Sequence, residues 1–202
     1  MTQTETIAAI ATAPGEAAIA ILRISGPEAI LLGDQLFRGR RTLAEAPPRM
    51  ACFGRMEAGE EVIDDVLATV FRAPASYTGE DLVEISCHGG PVVTRRLLQA
   101  ILEAGARAAQ PGEFTQRAFL NGKMDLTQAE AVMDLISAHS ELAARAAARQ
   151  LEGRLGREIE AVRQAVLLLV AHVEASIDFP EQGIDPDGRD RLLERVGEAL
   201  QE

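Results

Sequence analysis

The sequence predicts an α+β protein, in which a small sheet with two helices over residues 1–122 precedes an all-α region over residues 123–202. Two observations lead to this fold class. Up to residue 122, short β-like runs alternate with turn residues and two helical segments. The later part is rich in Ala, Glu and Arg, has helical periodicity and contains almost no Gly or Pro before Pro180. A length of 202 residues suits one domain and a second, partial or smaller one.

Alternating apolar residues and turn signals define the elements of the first domain. The turn at Pro14-Gly15 separates the first two strands, and residues 57–61 connect the next two as a hairpin. Ser25, with Glu28 three residues later, is predicted to cap a helix that runs to about residue 37. The basic segment 38–49 is predicted to be a loop. The predicted strands are 6–11, 17–25, 50–56, 62–71, 82–88 and 106–109, and the second helix is 91–103.

The second region begins with Asp125 as a helix N-cap and Gln128 as its capping-box partner. Apolar and small residues then recur at spacings of three and four, which predicts one helix with an apolar face suited to close packing. These residues are Leu126, Ala129, Val132, Met133, Ile136 and Ser140. Further helices are predicted over 158–176 and 189–200. Because the chain stops inside the last pattern, we expect it to be incomplete as a functional unit.

Composition excludes several classes of protein. The chain has 31 acidic and 20 basic side chains and a net charge of -11. This excludes a protein that binds nucleic acid over its whole surface, so any contact with nucleic acid must be local or made by a partner. Two Cys residues are too few for a disulfide framework, which favours a reducing cytoplasm. No signal peptide is evident, and the longest apolar run, 165–171, is far shorter than the ~20 residues of a membrane helix.

Lys123 is a candidate site residue because the chain has 19 Arg and only this one Lys. A sequence that uses Arg for nearly every cation keeps Lys where a compact ammonium on a flexible stem is needed. The alternative is the chance survival of one surface Lys.

Arg23 and Glu84 are candidates because of the faces on which they lie. Period-two alternation places Arg23 among apolar neighbours on its strand and Glu84 on one face of the strand 82–88. A guanidinium in such a position needs a carboxylate or an anion, because an unpaired buried charge is costly. The two residues either form a structural ion pair or line a polar pocket.

Three other short motifs are interpreted first as turns and only second as parts of a pocket. This holds for 88–91, 111–115 and 121–123, although the glycines of 88–91 also let backbone N–H groups approach a ligand. The sequence has no Walker motif, no Rossmann glycine fingerprint, no nucleophile elbow and no metal-ligand spacing of its three His residues. We therefore predict no catalytic residue and no metal site, and we do not expect this chain alone to bind or hydrolyse GTP.

Ten short motifs together resemble the N-terminal part of the MnmE (TrmE) family of bacterial tRNA modification GTPases, over residues 6 to about 180. They are Thr6-Ile7, Ala11-Thr12-Ala-Pro-Gly15, Leu22-Arg-Ile-Ser-Gly26, Ser76-Tyr-Thr-Gly-Glu-Asp81, His88-Gly-Gly90, Pro111-Gly-Glu-Phe-Thr115, Arg117-Ala-Phe-Leu-Asn121, Lys123-Met-Asp-Leu126, Gln128-Ala-Glu130 and Ile177-Asp-Phe-Pro180. The resemblance implies a homodimerising domain, related to the glycine-cleavage T-protein, that binds a reduced folate such as 5-formyl- or 5,10-methylene-tetrahydrofolate. The folate-contacting Arg, Glu and Lys of the family match Arg23, Glu84 and Lys123.

The resemblance also implies functions outside this chain. In the family, a Ras-like G domain is inserted in the helical domain beyond the point where this sequence ends, and it holds GTP, Mg²⁺ and K⁺. With the flavoprotein MnmG (GidA), the family adds an aminomethyl-type group to C5 of the wobble uridine of tRNA in the cytoplasm, and we expect the tRNA contacts to lie mainly on MnmG. Two alternatives remain open: a stand-alone folate-binding protein, or a dimerisation module with a vestigial pocket.

Overall fold

The computed structural model of the chain describes residues 5–178 and residue 197. It divides the chain into two compact units, residues 1–123 and 124–202, a boundary one residue after the expected one. The first unit combines a sheet with helices and the second is helical over its described residues. The fold class predicted from the sequence is thus confirmed.

The first unit is built around one mixed sheet. Its strands are β1 (Ile7–Ile10), β2 (Ala17–Ser25), β3 (Phe37–Gly39), β4 (Ala51–Ala58), β5 (Glu61–Phe71), β6 (Leu82–Gly89) and β7 (Arg107–Ala108), and its helices are α1 (Ala29–Leu36), α2 (Pro91–Glu103) and α3 (Glu113–Leu120). The strand order is β3-β4-β5-β6-β2-β1-β7. Neighbouring strands are antiparallel except for the pair β1 and β7.

The two faces of the sheet differ in chemistry. On one face, alternate residues such as Leu22 of β2 and Ile85 of β6 are fully buried in the hydrophobic core. Leu97 and Ile101 of α2 belong to the same core. The residues that alternate with these core residues along β2 and β6 point to the opposite face, which carries Arg23 and Glu84. The core therefore fixes the strands that present the candidate site.

The bounds of β2 and α2 agree with prediction, but the capping of α1 does not. Helix α1 begins at Ala29, and its N-cap, Glu28, makes no side-chain capping bond. Ser25 instead lies buried at the end of β2, where its hydroxyl hydrogen-bonds with Thr78 and donates to Glu80. A tertiary polar network has replaced the expected local cap.

The predicted loop 38–49 is wrong at its start, because β3 pairs with β4. A Cβ atom at Gly39 or at Gly54 would collide with the ring of Phe37. These paired glycines therefore leave the space that the buried Phe37 ring fills. The short edge strand depends on this fit, which periodicity does not reveal.

Helix α3 is absent from the prediction, which interprets residues 111–115 as a turn and assigns no element to residues 116–120. It is only eight residues long and follows Gly112, whose φ is 78°. Ala118 and Arg117 are buried within it. The helix therefore depends on tertiary contacts more than on a long periodic pattern.

The second unit contains α4 (Leu126–Ile136), α5 (Glu141–Leu151) and α6 (Arg154–Asp178). The capping box of Asp125 and Gln128 is confirmed. The first predicted helix is wrong at its end, because α4 stops at Ile136 and Ser140 caps α5. The expected packing face of α4 is largely exposed at Leu126, Met133 and Ile136.

The second predicted helix, 158–176, lies within α6. The third, 189–200, lies outside the described residues apart from position 197, and so do Phe179 and Pro180 of the last motif. No helix of the described part of the chain is both long and apolar enough to cross a membrane.

Candidate functional site

Arg23 and Glu84 form an ion pair across the two central strands β2 and β6. Their Cα positions are directly opposite in the antiparallel register. The Nε and Nη2 atoms of Arg23 donate to the same carboxylate oxygen, Oε1 of Glu84, at 3.0 and 2.5 Å. The side chains remain 23% and 26% exposed. The pair is thus formed within the chain but is still reachable from solvent.

Two aromatic rings contact the Arg23 guanidinium. Its Cζ atom lies 5.0 Å from the centre of the Tyr77 ring and 5.7 Å from that of Phe114, distances typical of cation–π contacts. Tyr77 belongs to the loop 72–81, and Phe114 to α3. The hydroxyl groups of Tyr77 and Thr115 share a hydrogen bond of 2.9 Å, which ties the loop to the helix.

Lys123 is exposed and held against the same loop. Its Nζ donates to the carbonyl oxygen of Pro74 at 3.0 Å. The Cγ atom of its side chain would lie 3.2 Å from a Cβ atom at Gly79, so the lysine stem packs on this glycine. No hydrogen bond or ion pair in the described part of the chain joins Lys123 to Arg23 or Glu84. The structure thus brings two of the three predicted residues into contact and places the third against the loop that carries Tyr77.

A buried charge network supports the loop and the helix from behind. Arg117 of α3, which is 5% exposed, donates to both carboxylate oxygens of Glu80 at 3.1 and 3.2 Å, and to Glu113 at 3.2 Å. It also donates to the backbone carbonyl of Glu5. The positive charge is therefore balanced by two carboxylates, as burial requires.

Glu113 is the most strongly perturbed carboxylate of this network. The hydrogen bonds from Arg107 lower its pKa from 4.5 to about 2, and the backbone N–H of Gln110 and the side chain of Arg117 act in the same direction. Burial opposes this shift but does not outweigh it. Glu113 is consequently ionised at neutral pH.

The turn at 88–91 has a structural explanation. A Cβ atom at Gly89 would lie 2.5 Å from the carbonyl oxygen of Ala17, so the close approach of β2 requires glycine there. Asp64 accepts hydrogen bonds from the backbone N–H and, at 2.7 Å, from Nδ1 of His88. Burial raises the pKa of the neighbouring Cys87 to about 11. Among the described residues, no group of three His, Cys, Asp or Glu side chains is arranged to hold a metal ion.

Comparison with known proteins identifies both parts of the sequence. Residues 6–123 match the family described as "GTP-binding protein TrmE N-terminus". Residues 126–202 match the "MnmE helical domain". The chain belongs to the MnmE (TrmE) family.

Curated MnmE relatives are about half identical to this chain. A protein of Shouchella clausii named tRNA modification GTPase MnmE is 52% identical over 179 residues, which cover 88% of this chain and 39% of that protein. The MnmE of Listeria welshimeri is 52% identical over 189 residues, covering 94% and 41%. That of Geobacillus thermodenitrificans is 47% identical over 202 residues, covering 98% and 44%. This chain spans about two fifths of the length of these relatives.

The residues around the ion pair are missing from the sequence prediction for this MnmE-family chain. Tyr77, Phe114, Glu80 and Arg117 are not among the predicted site residues. The sequence does contain a signal for the two aromatic residues. Aromatic residues make up only 3% of the chain, and Tyr77 and Phe114 both lie within short motifs that resemble those of the family. Their convergence on Arg23 depends on tertiary contacts and does not follow from spacing.

Proposed function

We propose that this chain is the tetrahydrofolate-binding, dimer-forming part of a GTP-dependent tRNA modification enzyme. With MnmG, the whole enzyme would add an aminomethyl or carboxymethylaminomethyl group to C5 of the wobble uridine in the cytoplasm. The family match and the printed names of the relatives support this role. We assign GTP hydrolysis, with its Mg²⁺ and K⁺, to a G domain outside the present sequence.

The observation that carries the folate proposal is that the hydrogen-bonding groups of the Arg23–Glu84 pair are only partly used within the described part of the chain. Both described hydrogen bonds end on Oε1 of Glu84, and none in the described part of the chain ends on Oε2. Nη1 of Arg23 is likewise without a described partner. An acceptor and a donor therefore stand side by side on a partly exposed pair, which matches a pterin edge that alternates donors and acceptors.

The surroundings of the pair fit the rest of a reduced folate. Tyr77 and Phe114 offer aromatic faces near Arg23, against which a flat heterocycle can stack. Lys123 is exposed and can attract the carboxylates of the glutamate tail, a task for which Arg23 is the other candidate. The bound folate would supply the one-carbon unit, while these residues hold and orient it.

The alternative is a dimerisation module in which the Arg23–Glu84 pair is only structural. The observation in its favour is that each charge already has an opposite partner inside the chain. An ion pair that is satisfied in this way needs no ligand to be stable. The two functions differ in their prediction for a variant that keeps the shape of Glu84 but changes its acceptor oxygen.

Titration calorimetry with 5-formyltetrahydrofolate separates them. In Glu84→Gln an amide donor replaces one carboxylate oxygen, so we expect affinity to fall at least about tenfold, equivalent to ~1.4 kcal/mol. The matched control is Glu61→Gln, which removes a carboxylate from an exposed pair with Arg96 and should leave affinity unchanged. Unaltered affinity in Glu84→Gln, or no folate binding by the parent chain, would favour the structural alternative.

The homodimer is proposed to form through the first unit. On the face that carries the ion pair, Ile19 of the central strand β2 is 63% exposed. A second copy that packs on Ile19 and leaves the edge strands β3 and β4 free would remove apolar surface from water. Light scattering of the chain over a range of concentrations tests this, since a constant monomer mass would contradict it.

A further inference from the structure

Arginine is concentrated along one edge of the sheet in an otherwise acidic chain. Residues 38–55 contain five Arg and a single acidic residue, Glu45, although the whole chain has a charge of -11. Four of the five belong to the edge formed by β3, β4 and the residues that follow β3. We call this set, Arg38, Arg40, Arg41 and Arg55, the arginine edge.

The edge holds like charges close together. Arg38 and Arg55 occupy directly opposite positions of β3 and β4. Like charges placed in this way destabilise a strand pair. Arg38 is compensated, since it donates to the carbonyl oxygens of Asp34 and Phe37 and lies 3.5 Å from a carboxylate oxygen of Glu57. Its guanidinium thus hydrogen-bonds with backbone carbonyl groups at the C-terminal end of α1.

Within residues 5–178, the remaining three guanidinium groups have no such partners. Arg40, Arg41 and Arg55 are exposed, and no described hydrogen bond or ion pair involves their side chains. Asp65 lies opposite Arg55 in the register of β4 and β5, yet the two side chains form no ion pair. The edge therefore presents to solvent three guanidinium groups that no described hydrogen bond or ion pair engages.

An exposed aromatic ring adjoins these charges. Phe53 is 68% exposed and lies two residues before Arg55, on the same face of β4. Exposed aromatic rings beside cations form platforms on which unpaired bases stack, while the cations contact the phosphates. This combination favours RNA over an acidic protein surface as the occupant.

We propose that the arginine edge and Phe53 bind the phosphate backbone and an unpaired base of RNA, namely the tRNA of the proposed function. The inference rests on that function and assigns part of the tRNA contact to this chain. Guanidinium groups pair with phosphate through two parallel hydrogen bonds. A local basic patch is sufficient for such a contact, because residues 38–55 contain five Arg and one acidic residue.

The test is the salt dependence of tRNA binding by the 202-residue chain. Fluorescence anisotropy with an unmodified tRNA transcript is followed between about 50 and 200 mM salt, a range over which phosphate contacts weaken strongly. The edge variant is Arg40→Gln/Arg41→Gln/Arg55→Gln. The matched control, Arg95→Gln/Arg145→Gln/Arg149→Gln, removes the same charge from exposed arginines of α2 and α5.

Each phosphate contact contributes about 0.7–0.9 to the slope of log affinity against log salt. We expect the edge variant to lower this slope by about 2 and the affinity at least about tenfold, with the control close to the parent chain. Phe53→Leu should weaken binding without changing the slope, because stacking releases no counterions.

Three results would overturn the inference: no saturable tRNA binding by the parent chain, an equal loss in the edge and control variants, or an unchanged slope in the edge variant. Polyglutamate that binds the edge more tightly than tRNA would assign the surface to an acidic protein instead. Folate titration of the edge variant is independent of these outcomes. Failure of folate binding would refute the folate part of the proposed function and leave its tRNA part, on which the RNA result depends, untouched.

Discussion

Arg117 and Glu80 form an ion pair, at 3.1 Å, in which the side chains are only 6% and 13% exposed. The pair joins α3 to the loop 72–81. Because Phe114 lies on that helix and Tyr77 on that loop, this contact fixes the two aromatic rings that surround Arg23. The candidate site is thus held in place by charges that lie outside it.

Arg117→Met should destabilise the first unit severely. Removal of one member of a buried ion pair leaves the remaining charge uncompensated and typically costs about 3–5 kcal/mol. Urea unfolding measures this loss. Arg145→Met, which breaks an exposed pair with Glu141, is the control and should change stability by less than about 1 kcal/mol. Similar losses in both variants would show that the network is not a main support of the fold.

Acid should weaken the fold through Glu113. Its pKa is about 2 in the folded chain and near 4.5 in the unfolded chain, so the unfolded state takes up protons first as the pH falls. The stabilisation is complete above about pH 4.5 and disappears as the pH falls towards about 2. Unfolding experiments across this window should show a smaller pH dependence in Glu113→Gln than in the parent chain. An identical pH dependence would contradict the assigned role.

The two cysteines should differ in reactivity. Cys87 is 4% exposed and its raised pKa of about 11 keeps it a neutral thiol at pH 7–8, whereas Cys52 is partly exposed. Since the thiolate is the reactive form, Cys87 should react with iodoacetamide at least about tenfold more slowly than Cys52. Peptide mass spectrometry of briefly labelled, folded chain distinguishes the two sites. Equal labelling would mean that the strand end at Cys87 opens readily.

Gly79→Ala should affect Lys123 as well as the backbone. The φ of Gly79 is 79°, and an added Cβ would lie 3.1–3.4 Å from atoms of Asn121 and Lys123. Gly59 has a similar φ of 64° but open space around it, so Gly59→Ala carries only the backbone cost of about 1 kcal/mol. We expect a larger loss of stability for Gly79→Ala in thermal unfolding, and weaker folate binding only in that variant. Equal effects of the two substitutions would show that packing at Gly79 is unimportant.

The parts of the fold that sequence predicts are those fixed by local pattern. The bounds of β2 follow from its apolar alternation, and the capping box of Asp125 follows from side-chain chemistry within four residues. The same alternation assigns Arg23 and Glu84 to defined faces of their strands. The pairing of β2 with β6 then places the two residues directly opposite each other. Because the meeting of two strands is not encoded locally, the choice between ion pair and pocket stayed open.

The parts that sequence missed depend on distant partners. Helix α3 is short, and its Arg117 is buried against Glu80, which is 37 residues away. Strand β3 requires the Phe37 ring to fill the space beside Gly54. The contact of Lys123 with Pro74 spans 49 residues. In each case the stabilising energy comes from tertiary packing, which overrides or replaces local propensity.

The most direct test of the account is a crystal structure of the chain with 5-formyltetrahydrofolate. The account predicts that donors of the pterin ring lie within about 3.2 Å of the Glu84 carboxylate. It also predicts that the ring packs near Tyr77 and Phe114. A folate bound elsewhere, with Arg23 and Glu84 paired only to each other, would contradict it.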